Sequence, residues 1–232
     1  MLAPRRRRGF EHLDDPSTSD TLRERSLRDV RRANTLLGGT NAVLRELDRL
    51  LPTLGEAASL LDVGTGLADI PGKARTRAAR SGVRLTTFGV DEAESLARAA
   101  SGALDAGVRA DARRLPFDDA SVDVVTCSQV LHHFPDEEIP SVLAELNRVA
   151  RRAVIVSDLR RSWIAATGFW IVTWPLGFHP VSRHDGVTSV LRGFTTAELA
   201  SHVRRTTGRA ARVRRHLGFR ITATWLTDHG SH

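Results

Sequence analysis

The sequence predicts an α/β fold built on a doubly wound, mostly parallel sheet. β-rich runs alternate with helical segments through residues 57–158, and successive runs end in acids, at Asp62, Asp91 and Asp111. Such alternation is typical of a parallel sheet with helices on both faces. Ligands of these sheets bind at the carboxyl ends of the strands. The same pattern therefore predicts both the fold and the edge that carries the site.

Two helices are expected before the first strand. Residues 1–19 are charged and rich in Pro, Ser and Thr, so we expect a flexible N-terminus. A first helix is predicted over Thr21–Ala33, where Asp20 is the capping residue. Gly38-Gly39 ends it, and a second helix is predicted over Asn41–Leu51. The apolar stripe of the first helix is Leu22, Leu27 and Val30.

The main domain is expected to span residues 57–232, after cap helices in residues 20–56. Its strands are predicted near 58–63, 84–91, 107–111, 122–127, 152–158, 210–217 and 219–226. Its helices are predicted near 68–81, 92–103, 136–150 and 195–207.

A glycine-rich turn follows the first strand and reads Gly64-Thr65-Gly66-Leu67-Ala68-Asp69. Glycines at such a bend let a ligand approach bare backbone. A dinucleotide site has a third glycine where this turn has Asp69, whose charge would repel a pyrophosphate. Asp62 instead suits a ligand with a positive end. Because the chain also lacks tyrosine, NAD-dependent oxidoreduction with a Tyr/Lys proton donor is disfavoured.

The strand ends that follow point to a nucleoside. Asp91 ends the second strand, where an acid commonly binds both ribose hydroxyls. Asp111 follows the third, and Ser128-Gln129-Val130-Leu131-His132-His133 follows the fourth. Polar residues at three successive strand ends are hard to explain by core formation alone.

This order resembles the class I S-adenosylmethionine-dependent methyltransferases over about residues 20–226. The resemblance implies a Rossmann-like sheet of about seven strands with an antiparallel end, and S-adenosyl-L-methionine as cofactor, converted to S-adenosyl-L-homocysteine. Asp62, Gly64, Thr65 and Gly66 would hold its methionine part. By the same resemblance, the ribose would bind Asp91 beside Glu92, the adenine Asp111 and Ala112, and the ammonium group Ser128. Ala68 stands where the family often has its third glycine.

A narrower resemblance concerns the acceptor. Arg28–Gly39 and Arg183-His184-Asp185-Gly186 are similar to segments of short bacterial methyltransferases linked to polyketide or phenolic metabolites. This likeness implies O-methylation of a small apolar acceptor in secondary metabolism. A phenol has a pKa of about 10, so such an acceptor benefits from a histidine base. The candidates are His133 first, then His184 and His132. Adjacent residues rarely pair, so a His184–Asp185 dyad is not expected, and no metal site is predicted.

An apolar insertion is expected in residues 159–193. Its segment Trp163–Phe178 is uncharged and aromatic, but Gly168 and Pro175 interrupt it. It is also shorter than the roughly 20 residues of a spanning helix. Three interpretations stay open: a lid over an apolar substrate, a homodimer interface, and a peripheral membrane contact.

The composition leaves a second class of function open. The net charge is +7, which suggests an RNA methyltransferase. However, 33 of the 34 basic residues are arginine and they are dispersed, so nucleic-acid binding is disfavoured. A non-methylating protein that binds S-adenosylmethionine is a third alternative. The single cysteine, Cys127, is expected to be a buried apolar side chain. The N-terminus lacks an apolar run after its charges, which predicts a cytoplasmic protein.

Overall fold

The structure is a computed structural model that describes residues 3–7, 9–12, 18–19, 21–22, 25–26, 28–29, 32–33, 37–93 and 104–227. Three predictions fall largely outside these residues. They are the cap at Asp20, the apolar stripe through Leu27 and Val30, and the helix near 92–103. Described residues between 21 and 33 are helical, as expected for the first cap helix.

Seven strands form one sheet in the order β3-β2-β1-β4-β5-β7-β6. Strands β1 to β5 pair in parallel, whereas β7 pairs antiparallel with both β5 and β6. The predicted Rossmann-like sheet with an antiparallel end is therefore confirmed. The strands are β1 (Ala57–Val63), β2 (Arg84–Asp91), β3 (Ala106–Arg109), β4 (Val122–Ser128), β5 (Ala150–Leu159), β6 (Arg212–His216) and β7 (Arg220–Leu226).

Helices cover both faces of the sheet, and alternate residues of each strand feed two cores. Leu61 belongs to the core that includes Leu143 and Leu199, while its neighbour Leu60 belongs to the core that includes Leu47 and Ala74. This alternation follows from the two-residue period of a strand. Six α-helices have both ends within the described residues: α1 (Gly39–Leu50), α2 (Asp69–Arg80), α3 (Ile139–Val149), α4 (Trp163–Thr173), α5 (Pro180–Arg192) and α6 (Thr196–Thr207).

The ends of two helices show how local sequence sets the boundaries. Helix α6 begins with a capping box in which Thr195 and Glu198 satisfy each other's backbone N–H groups. Helix α1 begins at Gly39, two residues earlier than predicted, because only Gly38 takes the left-handed conformation (φ 74°). Both glycines had been expected to lie between helices, so the prediction was wrong for Gly39.

The insertion forms a helical hairpin, α4 and α5. Gly168 lies inside α4, so our expectation that it interrupts the apolar segment was wrong, whereas Pro175 does follow the end of the helix. The two helices meet where Phe169 lies on Gly186, at which an added Cβ would be 2.2 Å from the ring. The Arg-His-Asp-Gly segment therefore includes the contact point between the helices. No described helix has the length and apolar character needed to cross a bilayer.

The described part of the N-terminus packs against the insertion, although residues 1–19 were expected to be flexible. Glu11 is only 3% exposed. Its carboxylate accepts hydrogen bonds from Ser189 Oγ at 2.9 Å and pairs with Arg192 at 3.0 Å. Arg6 pairs with Asp136. These contacts hold Arg6 and Glu11 in place, and the flexibility of residues 1–19 as a whole stays a prediction.

The hairpin turn between β6 and β7 provides a test of the fold. Gly218 has φ +70°, and an added Cβ would be 1.9 Å from the backbone oxygen of Leu37. We expect Gly218→Ala to lower the free energy of unfolding by about 3 kcal/mol, since it adds a steric clash to backbone strain. Gly82→Ala is the control, because Gly82 has φ +76° but no atom near its Cβ position. It should cost only about 1–2 kcal/mol. Equal losses in urea unfolding would contradict the assignment.

Candidate active site

The glycine-rich turn is held at the carboxyl edge of the sheet by hydrogen bonds to β2. The N–H groups of Gly64 and Thr65 donate to Val90 O at 2.8 and 3.0 Å. Gly64 has φ +71°, and an added Cβ would be 2.2 Å from Val130 Cγ2. Gly66 has φ +53°, but its Cβ position meets nothing within 4 Å. The turn thus leaves bare backbone facing open space. Ala68, at φ 59°, begins α2 in a conformation that favours glycine.

Asp62 lies beneath this turn and is 1% exposed. Burial raises the pKa of Asp62 from 3.8 to about 7, although hydrogen bonding by Thr126 and Thr65 works against the shift. The negative charge of Asp91 adds to the rise. Thr126 Oγ1 donates to Asp62 Oδ1 at 2.6 Å. This carboxyl group is therefore poised to ionise when a positive ligand group comes near.

Asp91 joins the turn to the end of β2. Its Oδ2 accepts from the N–H of Gly66 at 3.0 Å, and its Oδ1 accepts from the N–H of Ala93 at 3.0 Å. Asp91 and Glu92 both line the cavity described below. A carboxylate has about four acceptor positions, so Asp91 retains the capacity to accept from two hydroxyl groups.

The third predicted acid is placed differently. Asp111 forms a two-pronged ion pair with Arg113, and this hydrogen bonding lowers the pKa of Asp111. Asp111 does not line the cavity, whereas its neighbours Ala110 and Ala112 do. The local turn explains the difference, because Arg113 lies two residues away on the same exposed loop.

One cavity of about 940 Å³ runs from this edge into the helical insertion. Its near end is lined by the predicted residues Asp62, Gly64, Thr65, Gly66, Asp91, Glu92, Ala112 and Ser128. Its far end is mostly apolar and includes Phe134, Phe169, Val172, Leu176, Phe178 and Val190. The geometry therefore provides a polar half and an apolar half in one continuous space.

The histidines separate into two groups. His132 is buried, lines the cavity, and binds Asp158 through Nδ1 and Oδ1 at 2.8 Å. His133 also lines the cavity, and its ring centroid lies 4.2 Å from that of His132. His184 does not line the cavity and is 53% exposed. Its Nδ1 lies 3.2 Å from Asp185 Oδ1, so the adjacent pair that we did not expect is present.

Asp158 is the most informative residue that the sequence reasoning missed. It lies near the end of β5, is 0% exposed, and also accepts from the backbone N–H of His132 and Leu159. Burial by itself would raise the pKa of Asp158, but the neighbouring His132 outweighs it and holds the pKa below its ordinary value. The sequence did contain a signal for this site residue, because Asp158 is an acid near the carboxyl end of β5, the strand that pairs with β4.

Two further polar groups complete the apolar half. Arg220, at the start of β7, is buried and donates to Gln129 Oε1 at 2.6 Å. Burial lowers the pKa of Arg220 to about 10, and nearby Asp158 partly offsets this. Glu11 also lines the cavity, with Oε2 4.0 Å from His133 Nδ1. Cys127 is buried, and burial raises the pKa of its thiol well above the ordinary value, so it is no nucleophile.

Two clusters of side chains have ligand atoms close enough to surround a cation. Glu11, His132 and His133 form one, and His12, His184 and Asp185 form the other. The expectation that the chain has no metal site stays a prediction. Ion pairs and hydrogen bonds already account for several of these positions, including His132 with Asp158 and Glu11 with Arg192.

Comparisons with known proteins agree on the fold. Residues 61–156 match a family profile described as a methyltransferase domain. A methyltransferase from Aquifex aeolicus that depends on S-adenosylmethionine has a TM-score of 0.56 at 15% identity, covering 84% of this chain and 97% of that one. No curated protein matches the sequence.

Two further solved structures are similar over most of their length. Magnesium protoporphyrin IX methyltransferase from Synechocystis PCC 6803, with bound S-adenosylhomocysteine, has a TM-score of 0.57 at 17% identity, covering 93% of this chain and 91% of that one. A putative methyltransferase in complex with the Trm112 methyltransferase activator of Haloferax volcanii has a TM-score of 0.60 at 14% identity, covering 92% and 100%. At these identities the likeness shows a shared fold.

Proposed function

We propose that this protein, whose residues 61–156 match a methyltransferase domain, uses S-adenosylmethionine to methylate an oxygen of a small apolar acceptor. The acceptor is phenolic or enolic. The observation that carries this proposal is the continuous cavity of about 940 Å³, whose polar half lies at the sheet edge and whose apolar half lies under the insertion. A space of this size is at the upper end of small-molecule sites.

The polar half fits S-adenosylmethionine. The Ser128 hydroxyl is buried and has no hydrogen-bond partner among the described residues, as expected for a group whose partner is a ligand. The open space beside Gly66 would be filled by any side chain there, which suits close contact with a ligand. We infer that Asp62 and Ser128 hold the methionine end and that Asp91 holds the ribose. When bound, the cofactor supplies an electrophilic methyl group on sulfur.

The apolar half accounts for the acceptor and its proton. Phe134, Phe169 and Phe178 line a wall that suits an aromatic or alkyl body. Asp158 binds Nδ1 of His132, so the neutral imidazole carries its own proton on Nδ1 and leaves Nε2 unprotonated. His132 therefore accepts the hydroxyl proton of the methyl acceptor at Nε2. The buried Arg220 guanidinium, which also lines this space, favours the developing oxygen anion. With the cofactor bound in the polar half, the deprotonated oxygen would take the methyl group from sulfur, and His132 would keep the released proton.

An RNA substrate is less well supported. The chain reads Ser128-Gln129-Val130-Leu131 at the end of β4, and it offers neither a pair of prolines nor an aromatic side chain for stacking a base. Among the described residues that line the cavity, Arg220 alone is a lysine or arginine, so a polyanion would find few cationic partners there. The activator-bound neighbour from Haloferax volcanii shares only the fold at 14% identity.

The test is methyl transfer from labelled S-adenosylmethionine to a panel of alkylphenols and enolic pyrones, with total RNA as a separate arm. We expect a product one methyl group heavier from at least one phenol or enol, and none from RNA. Gly64→Ala is the control for contaminating activity, because its Cβ would clash with Val130 in the cofactor turn. Transfer to RNA alone, or cofactor binding without transfer to any acceptor, would overturn the proposal.

A further inference from the structure

Helix α4 exposes an apolar face that the cavity does not use. Six of the ten exposed large apolar side chains among the described residues lie on this helix and its end. Trp174 is 68% exposed, Ile171 60% and Trp163 50%. Exposed patches of this kind mark a surface that binds something apolar. Val172 lines the cavity, and the other five, which do not, are Trp163, Ile164, Trp170, Ile171 and Trp174, called the tryptophan face below.

Cations flank the tryptophan face at both ends. The exposed Arg7 guanidinium lies 5.6 Å from the Trp163 ring centroid, near the start of α4. Arg32, whose side chain is 53% exposed, lies 5.4 Å from the Phe178 ring centroid, beyond its end. No Asp or Glu occurs between Asp158 and Asp185. The nearby acids Asp29 and Asp185 are buried, and Asp29 lies 3.9 Å from the Arg32 guanidinium, on its inner side. The surface is thus aromatic in its middle and positive at its rim.

The exposed rings are also held in place. Arg183 is buried, and its guanidinium lies 3.9 Å from the Trp170 centroid and 4.6 Å from the Trp174 centroid. A cation over an aromatic face restrains the ring. These tryptophans are therefore presented to the outside in an ordered arrangement, and little conformational entropy would be lost on binding.

We propose that the tryptophan face binds the surface of an anionic lipid bilayer. Tryptophan prefers the boundary between headgroups and acyl chains, and arginine beside it pairs with anionic headgroups. A second copy of the chain fits less well. Antiparallel packing of two α4 helices would bring Arg7 of each copy towards Arg32 of the other, which places like charges together.

Helix α4 lies between the tryptophan face and the cavity, which connects lipid binding with the proposed reaction. Val172 is 49% exposed. It also lines the cavity, together with Gly168 and Leu176. The helix therefore separates the bilayer from the apolar half of the cavity, and an apolar acceptor dissolved in lipid has a short path inward. This role in acceptor delivery rests on the proposed function, whereas lipid binding itself does not.

Tryptophan fluorescence tests the binding directly. Three of the four tryptophans lie on α4 or directly after its end, and the fourth, Trp225, is buried in the core at 3% exposure. Vesicles of phosphatidylcholine mixed equally with phosphatidylglycerol should shift the emission to the blue and sediment the protein. Vesicles of phosphatidylcholine alone should bind it more weakly, and high salt should reduce the difference.

Variants separate the two contributions. Trp170→Ser with Trp174→Ser should weaken binding at least about tenfold, because two large apolar side chains are lost. Arg7→Ser and Arg32→Ser should each weaken it about fivefold, and only on anionic vesicles. Leu226→Ser is the matched control, since Leu226 is 64% exposed at the far end of β7 and should leave binding unchanged.

Three results would overturn the proposal. They are the absence of binding to both kinds of vesicle, equal binding by the double tryptophan variant, and a concentration-dependent dimer that protects the tryptophans from acrylamide without lipid. None of them depends on methyl transfer. An inactive but lipid-binding protein would therefore count against the proposed function and leave the membrane assignment intact.

Discussion

Replacing His132 with glutamine is expected to lower kcat for weakly acidic phenols by about 10²–10⁴-fold, the usual contribution of a general base. The side chain is buried, lines the cavity and is held by Asp158 at 2.8 Å. Glutamine keeps hydrogen-bonding capacity but cannot accept a proton at neutral pH. The Kd for S-adenosylhomocysteine should stay close to that of the unaltered protein, because His132 belongs to the acceptor half of the cavity.

The acidity of the acceptor distinguishes a chemical role from a structural one. A phenol with a pKa of about 10 needs a base, whereas a dinitrophenol is already ionised at neutral pH. The loss caused by His132→Gln should therefore shrink across a series of increasingly acidic phenols. A misfolded site would lose activity with all acceptors alike, and that outcome would contradict the assignment.

Two further variants complete this test. Asp158→Asn should show the same dependence on acceptor acidity, because Asp158 is a positioning residue that fixes the tautomer of His132. His184→Gln is the matched control, since His184 is half-exposed and does not line the cavity. If His133→Gln alone shows the acidity-dependent loss, the base is His133, as we had first predicted from the sequence.

The cofactor half of the cavity was accessible to sequence reasoning because its signals are local. The turn at Gly64 and Gly66 is a chain of adjacent residues, and Asp62 and Asp91 end strands that are recognisable from their composition. In a parallel sheet such strand ends share one edge. Asp111 departs from this picture because a neighbouring arginine, Arg113, competes for its carboxylate.

The acceptor half is assembled from residues that are remote in sequence. His132 meets Asp158 across 26 residues, Gln129 meets Arg220 across 91, and Glu11 meets Ser189 across 178. No periodicity links such positions. The sequence could not rank His132 above His133 either, because the ranking depends on the burial of His132 and on its contact with Asp158.

Cofactor affinity is expected to depend on pH through Asp62. Burial raises the pKa of Asp62 to about 7, so the carboxyl group of the free protein is neutral below that pH and ionised above it. The ligand ammonium group prefers the ionised form. The Kd for S-adenosylhomocysteine should therefore rise about tenfold for each pH unit below 7. Adenosine, which lacks the ammonium group, is the matched control and should bind with little change.

Asp62→Asn separates this charge effect from loss of shape. The variant should bind S-adenosylhomocysteine about 10–100-fold more weakly at pH 8, because a charge-assisted hydrogen bond is lost, and its Kd should no longer change with pH. Calorimetry in buffers of different ionisation enthalpy should show proton release on binding near pH 6.5 by the unaltered protein only. A pH-dependent Kd in the variant would assign the titration to another group.

The same carboxyl group links cofactor binding to stability with the opposite sign. An acid whose pKa is raised from 3.8 to about 7 by folding binds more protons in the folded state. The free energy of unfolding of the ligand-free protein should therefore fall as pH rises from about 4 to about 7, by up to about 4 kcal/mol. Asp62→Asn should flatten this part of the curve and be the more stable protein at pH 8, while binding the ligand more weakly. Urea unfolding of both proteins across this range checks the prediction, and parallel curves would contradict it. Burial of ionised Asp62 thus destabilises the ligand-free protein, and a positively charged ligand group would favour the ionised form again.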